Sequence, residues 1–358
     1  MTIYFALILY LGFLVIILRP LKTKKTFHIY RILFTILMAL GLFFVMALRD
    51  VSVGTDTYSY FLEYESAEEF INYNLRPTEL GYSYFNFLVS KTGINYQGYL
   101  SIISAFFIIV VSLLFYQYSK NIPLSFFLHI TIGLFAFSMS GIMQTLAIAI
   151  VFIAFLFLLR GRQLAFFILV AFATLIHNSA LIFISVYFLR NIRLSKYQAI
   201  LVFAISLSTF VTSRIVAPLI QTLINGLSLI QYFRYFNEIN YINPVVIIVY
   251  IAIPLSCLFI WPKNRQGEHV EKILSISFVM ACLNIVIYAL SLRINLFERL
   301  SYYFILPIAI LIPNIIQHIK TKNIQLIAKM ASVFLPMAQF FISIPGNSIG
   351  IDKYRFFW

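Results

Sequence analysis

Runs of about 17 to 20 apolar residues recur along this chain with only short connections between most of them, and that repetition constrains the fold more than any motif. A run of this length matches a helix across ~30 Å of hydrocarbon. Hydrocarbon offers the backbone no water, so peptide groups must bond within the segment, and helices satisfy that requirement. Composition agrees. Hydrophobic residues make up 62% and charged residues 11%, with a mean hydropathy of +0.94, whereas soluble domains carry roughly 25% charged residues. The 38 Phe and 23 Tyr suit lipid-facing helices with aromatic belts at their ends. The sequence predicts an all-α, polytopic membrane bundle.

Twelve apolar segments are legible: 2–18, 32–48, 98–118, 122–139, 142–159, 163–176, 178–189, 197–212, 244–261, 272–291, 300–316 and 327–344. Those flanking His177 are too short to cross alone. They read as a hairpin meeting near His177 or as one bent helix, giving about 10–12 transmembrane segments in a single membrane domain over 1–358. The first run lacks a basic leader and a small-residue cleavage site, so it reads as a span.

The net charge of +14 suggests a nucleic-acid partner until its distribution is read. Arg19, Lys22, Lys24, Lys25 and Arg31 lie between the first two runs, which makes that loop cytoplasmic and the N-terminus external. Alternating from there, 17 of the 26 Lys/Arg but only 2 of the 12 acids face the cytoplasm. Topology accounts for the charge, and no nucleic-acid partner is needed. The cytoplasmic connections are short (Lys120; Arg160 and Arg162; Arg190, Arg193 and Lys196; Lys263, Arg265 and Lys272; Lys320, Lys322 and Lys329). None can hold a nucleotide-binding domain of on the order of 100 residues, which excludes ATP-driven transport within the chain and a cytoplasmic Rossmann-type glycosyltransferase. Cys257 and Cys282 lie inside apolar runs and read as packing, and no pair of histidines has metal-ligand spacing.

The longer loops are external. The first, 49–97, carries seven acids and three basic residues, and 79–90 within it reads as an interfacial or re-entrant helix. The second, 213–243, contains Arg214, Arg234 and Glu238. Polar residues gather at this outer boundary, where a charge near membrane depth marks a functional candidate. These are Arg49 and Asp50; Gly54, Thr55, Asp56 and Thr57; Glu79; Ser138, Ser140, Gly141 and Gln144; His177, Asn178 and Ser179; and Arg293, Glu298, Arg299, Tyr302 and Tyr303. Each has a plainer reading. Arg49 with Asp50 serves equally as a snorkelling anchor and its counter-ion, and Arg299 as another anchor. Gly54 to Thr57 reads also as turn chemistry with Asp56 as an N-cap. Gln144 reads as an interhelical hydrogen bonder, His177 and His129 as satisfied buried histidines, and Glu63, Glu65, Glu68 and Glu69 as a solvated face.

The ordered series Arg49-Asp50, "VGTDTYSY" (Val53 to Tyr60), "ELGYSYFN" (Glu79 to Asn86), "FSMSGIMQTLAIAI" (Phe137 to Ile150), "LIHNSALI" (Leu175 to Ile182), "ERLSYYF" (Glu298 to Phe304) and the terminal "YRFFW" resembles the EpsG family of Wzy-type polysaccharide polymerases. Members commonly carry Arg immediately before the Gln of the fifth span. Here Met143 stands there while Gln144 and Ala147 remain, so Arg214 or Arg293 is the substitute to consider.

The resemblance implies a Wzy/GT-C-like membrane glycosyltransferase of the bacterial cytoplasmic (inner) membrane. Its active site faces outward, and it joins undecaprenyl-diphosphate-linked oligosaccharide repeats of O-antigen, capsule or exopolysaccharide. It implies a lipid-linked donor and acceptor as partners, with a chain-length regulator and a flippase as further ones; no cofactor is read, and no residue is read as a metal ligand. On that reading Arg49 and Arg299 hold the diphosphate, Gly54, Thr55, Gln144, Tyr302 and Tyr303 line the substrate site, and Asp50, Asp56, Glu79 and His177 are the candidate acid–base groups. A flippase of the same glycan, or a membrane O-acyltransferase, remains an alternative class. The topology is testable. An impermeant thiol reagent should label a single cysteine placed at Ser66 and spare one at Lys120; the reverse pattern contradicts the orientation.

Overall fold

The computed structural model describes residues 2–226, 244–262, 267–294, 297–343 and 349–358, without the side chains of 221 and 223–226. Lys263 and Arg265 of the basic loops, and Arg234 and Glu238 of the second outer loop, lie outside the described residues. The described residues form helices and no strand, with one isolated antiparallel bridge between Arg49 and Phe356.

The chain forms two compact units, Met1–Tyr187 with Phe340–Trp358, and Phe188–Gln339. In the first unit α1 (Thr2–Ile17) and α2 (Phe27–Ala47) precede three short helices, α3 (Thr57–Glu65), α4 (Ala67–Asn72) and α5 (Leu80–Ser90). Then come α6 (Tyr96–Tyr118), α7 (Ile122–Thr131), α8 (Leu134–Ser138), α9 (Ile142–Leu159) and α10 (Gln163–Ile176), followed by a 3-10 helix over Asn178–Leu189. The second unit holds α11 (Lys196–Gly226), α12 (Pro244–Phe259), α13 (Glu268–Ser291), α14 (Phe297–Leu300), α15 (Tyr302–Ile305), α16 (Ile308–Ile316) and most of α17 (Lys322–Ser343).

Each apolar segment read from the sequence has a helical counterpart. By length and composition α2, α6, α9, α11, α13 and α17 can each cross a membrane, and α14 to α16 make a further span bent by 41°. Five shorter apolar helices complete the series: α1, α7, α10, Asn178–Leu189 and α12. The breaks have local causes. Gly133, at φ +98°, separates α7 from α8. Pro307 has no amide hydrogen to continue the ladder between α15 and α16. The loop expected from residue 213 onward begins as helix, because Ile215, Val216, Leu219 and Ile220 continue the apolar pattern and α11 runs on to Gly226.

α9 is nearly all buried, as a helix apolar on every side should be. It packs along α10 and against α6, which in turn lies along α2. The segments flanking His177 form a hairpin. Phe166 meets Phe183 and Tyr187, Phe167 meets Tyr187 with ring centroids 4.7 Å apart, and Tyr187 donates its hydroxyl to Gln163 at 2.8 Å. The start of one arm therefore lies beside the end of the other, and His177 is at the tip.

The last residues return to the end of α2. Asp50 N donates to Arg355 O at 3.0 Å, Phe357 N to Leu48 O at 3.1 Å and Tyr354 Oη to Val45 O at 2.8 Å. Upstream of these, Gly54 N donates to Gly350 O and Thr55 N to Ile349 O, both at 2.9 Å. Gly54 has φ +96°, and a Cβ there would lie 2.6 Å from Met139 O. The glycine is required by this junction. In the second unit α11, α12 and α16 pack on α13, where Cys257 and Cys282 are free and buried. Gly54→Ala should lower the detergent melting temperature by several degrees, since a strained φ alone costs about 1–2 kcal/mol. An unchanged melting temperature contradicts this account of the junction.

Candidate functional site

The outer loop of the sequence reading folds so that one charged cluster is half enclosed. Its centre is Glu79, the residue that precedes α5, and His177, the residue that ends α10. Gly81 brings them together: a Cβ there would lie 2.8 Å from Leu175 O, so only glycine lets α5 approach the last turn of α10 this closely. Glu79 Oε1 then lies 2.5 Å from His177 Nδ1. An ionised carboxylate only accepts, so Nδ1 carries the proton and a neutral His177 keeps Nε2 free to accept. The His177 side chain is 22% exposed, enough for a small group to reach it.

Arg76 closes the other side. Its NH1 donates to Glu79 Oε2 at 3.1 Å. Its Nε donates to Glu63 Oε2 at 3.0 Å, and NH2 donates to Glu63 Oε1. Two carboxylates thus share one guanidinium, and their environments diverge. Burial pushes Glu79 up, but the hydrogen bonds and charges of His177 and Arg76 outweigh it and hold the carboxyl below its ordinary value. At Glu63 burial prevails over Arg76, and the carboxyl sits above its ordinary value.

Tyrosines support the cluster from beneath. Tyr99 Oη lies 2.6 Å from Asn86 Oδ1 and 3.0 Å from Tyr82 Oη, which ties α5 to α6. The other face of α5 exposes Leu80, Tyr84 and Leu88, one turn apart, an apolar stripe suited to a lipid interface. A helix over Leu80–Ser90 thus lies within the 79–90 stretch where an interfacial or re-entrant helix is expected.

The remaining candidates fall into three groups. Arg49 is 1% exposed and enclosed near Tyr4, Tyr96 and Tyr354. Its NH1 donates to Met46 O, while Nε has no hydrogen-bond partner among the described residues. Asp50 is not its counter-ion: the carboxylate accepts from Ser52 N at 2.9 Å, and the bonds with Ser52 hold it below its ordinary value.

Gly54, Thr55 and Asp56 meet the tip between α8 and α9. Ser140 Oγ lies 3.1 Å from Thr55 Oγ1 and accepts from Asp56 N at 3.3 Å. Asp56 stands at the N-cap position of α3 but makes no side-chain cap bond. Gln144 is buried in the first turn of α9, next to Met143.

Arg299, Tyr302 and Tyr303 belong to the second unit, where Arg299 is exposed and both tyrosines are buried. Arg299 lies on α14 and the two tyrosines on α15, with Ser301 between the helices. Arg214 and Arg293 are exposed there as well. Among the described residues, no three His, Cys, Asp or Glu side chains are grouped to hold a metal ion. His129 is buried among Phe107, Phe115 and Phe135, and neither ring nitrogen is hydrogen-bonded to a described residue.

Sequence reasoning missed two members of the cluster. Glu63 was read with Glu65, Glu68 and Glu69 as a solvated face, yet it is buried while the other three are exposed. Its signal was helical spacing from Thr57 and Tyr60, both on the buried side of α3. Arg76 had one local signal, Glu79 three residues on.

Fold and site together define a polytopic, all-α membrane protein with a charged cluster where two helices end. The EpsG family model matches residues 31–356, and the chain belongs to that family. Membership makes it a membrane protein of polysaccharide biosynthesis. No curated protein and no solved structure matches the chain.

The two carboxyl shifts have opposite consequences for stability. A depressed Glu79 adds stability that is present above its unfolded value, near 4.5, and is lost as pH falls through the lower folded value. A raised Glu63 opposes folding at neutral pH, and that cost fades on acidification. Melting temperature of the parent in detergent should therefore fall more steeply below about pH 4.5 than that of Glu79→Gln. Parallel curves contradict the assignment.

Proposed function

We propose that this chain is a glycosyltransferase that joins undecaprenyl-diphosphate-linked oligosaccharide repeats into O-antigen, capsule or exopolysaccharide at the outer face of the bacterial cytoplasmic membrane. The observation that carries the reading is the Glu79–His177 pair, partly open and backed by the half-buried Arg76. An acceptor hydroxyl attacks the anomeric carbon of the donor repeat. The bond to the diphosphate oxygen breaks, and the diphosphate leaves with its electron pair. The hydroxyl proton passes to His177 Nε2, and Glu79 stabilises the imidazolium that forms. Family membership supports the polysaccharide substrate class.

The leaving diphosphate needs cations. In the first unit Arg49 is assigned that role, with Gly54, Thr55 and Gln144 as substrate-lining and Asp50 and Asp56 as orienting residues; in the second unit Arg299, Tyr302 and Tyr303 are assigned as substrate contacts. Because Arg49 lies beneath the Tyr354 to Trp358 segment, its role requires that segment to lift. A chain-length regulator and a flippase are the protein partners this reading calls for.

Deletion of the gene should leave single repeats on the surface and abolish long chains on gels of surface polysaccharide. Loss of every repeat indicates a flippase. His177→Gln should reduce polymerisation by about 10²–10⁴-fold, the usual contribution of a general base, at unchanged protein amount and melting temperature. A normal chain-length profile removes His177 from the reaction. Arg49→Lys and Arg299→Lys should each lose polymer, since Lys cannot reproduce a bidentate grip; full-length polymer from both makes them anchors.

A further inference from the structure

The reaction proposed above uses Glu79 and His177 and leaves two charged groups of the same cluster, Arg76 and Glu63, without a task. Their geometry supplies one. Arg76 is not shared equally: it gives Glu63 two hydrogen bonds, in the fork arrangement that is strongest for this pair, and Glu79 one, at 3.1 Å. Glu63 therefore takes most of the guanidinium charge. Facing Arg76 alone, Glu79 would be neutralised by it, and His177 would meet a pair with no net charge. With Glu63 present, two carboxylates and one guanidinium leave one negative charge, and the oxygen nearest the imidazole is Glu79 Oε1 at 2.5 Å.

The other groups around His177 do not alter this count. α9 contributes no ionisable side chain, and α10 has none besides the His177 that ends it. α5 contributes only Tyr82 and Tyr84, and Tyr60 lies near Arg76. Glu65, Glu68, Glu69 and Lys91 of the same loop are exposed, with Lys91 paired to Glu68 at 2.7 Å.

We infer that Arg76 and Glu63 are positioning residues for the Glu79–His177 pair: Arg76 fixes one carboxylate oxygen so that the other meets Nδ1, and Glu63 neutralises Arg76 so that Glu79's charge supports the imidazolium formed in proton transfer. The inference rests on the reading of that pair as the reacting one. It also makes a demand that a merely structural role does not. Removing the two partners must change proton uptake at His177 in opposite directions, because one substitution deletes a negative charge and the other a positive one.

The test is carbethoxylation of the full-length protein in detergent by diethyl pyrocarbonate, which modifies neutral imidazole. The rate is followed against pH on the peptide that carries His177 by mass spectrometry. Glu63→Gln, which keeps the shape and one acceptor, should move the midpoint down by at least about half a pH unit. Arg76→Gln should move it up by a similar amount. Arg76→Lys, which restores the charge, should return the midpoint to within a few tenths of a unit of the parent.

Shifts in the same direction, or coincident midpoints in Glu63→Gln and the parent, overturn the inference. If Arg76→Gln does not fold, the comparison of Glu63→Gln with Arg76→Lys and the parent still decides it. The measurement needs no polymerase activity, so the two readings fail separately. Opposite shifts in a protein whose His177→Gln variant polymerises normally leave the charge relation standing and remove the reaction. Coincident midpoints in a protein that requires His177 do the converse.

Discussion

The hydrocarbon interior gives a peptide group nothing to bond to, and the architecture follows from that constraint. Every long apolar run is helical, and most charged groups lie near the ends of helices or in the loops beyond them, with Arg214 inside α11 an exception. Chemistry in such a chain forms where helix ends converge. Here α5 and α10 end against one another, and Gly81 sets how closely they do so. A single missing Cβ on α5 is what allows a carboxylate from the loop to touch a histidine from the hairpin.

Most of the fold was legible because hydropathy reports directly on helices in a membrane. All twelve segments have helical counterparts, including the short pair whose hairpin form the sequence left open. The deviations arise from backbone detail within apolar stretches, at Gly133, Ser301 and Pro307. α11 also outlasts its most apolar core, because length in a helix is set by propensity as well as hydropathy.

The site was legible in part. His177 and Glu79 stood out because each interrupts or borders an apolar run. Their contact did not, since nothing in sequence spacing joins residues on separate helices. Glu63 was hidden among three exposed glutamates and is distinguished from them only by facing the same side of α3 as Thr57 and Tyr60. Arg49 illustrates a different gap. Its position at the end of a span was evident, whereas its enclosure depends on backbone bonds from the last residues of the chain. The terminal "YRFFW" is thus part of the same junction as Arg49 and Gly54, and the resemblance that linked these motifs has a physical basis in their contact.

The central claim is that Glu79 and His177 act as one unit. A double-substitution cycle in polymer formation tests it most directly, with Glu79→Gln, His177→Gln and the two combined compared at matched protein amount. The account predicts strong non-additivity, with the combined variant no worse than the poorer single one, because either change alone disables the pair. Losses that multiply, each substitution acting independently of the other, would contradict it.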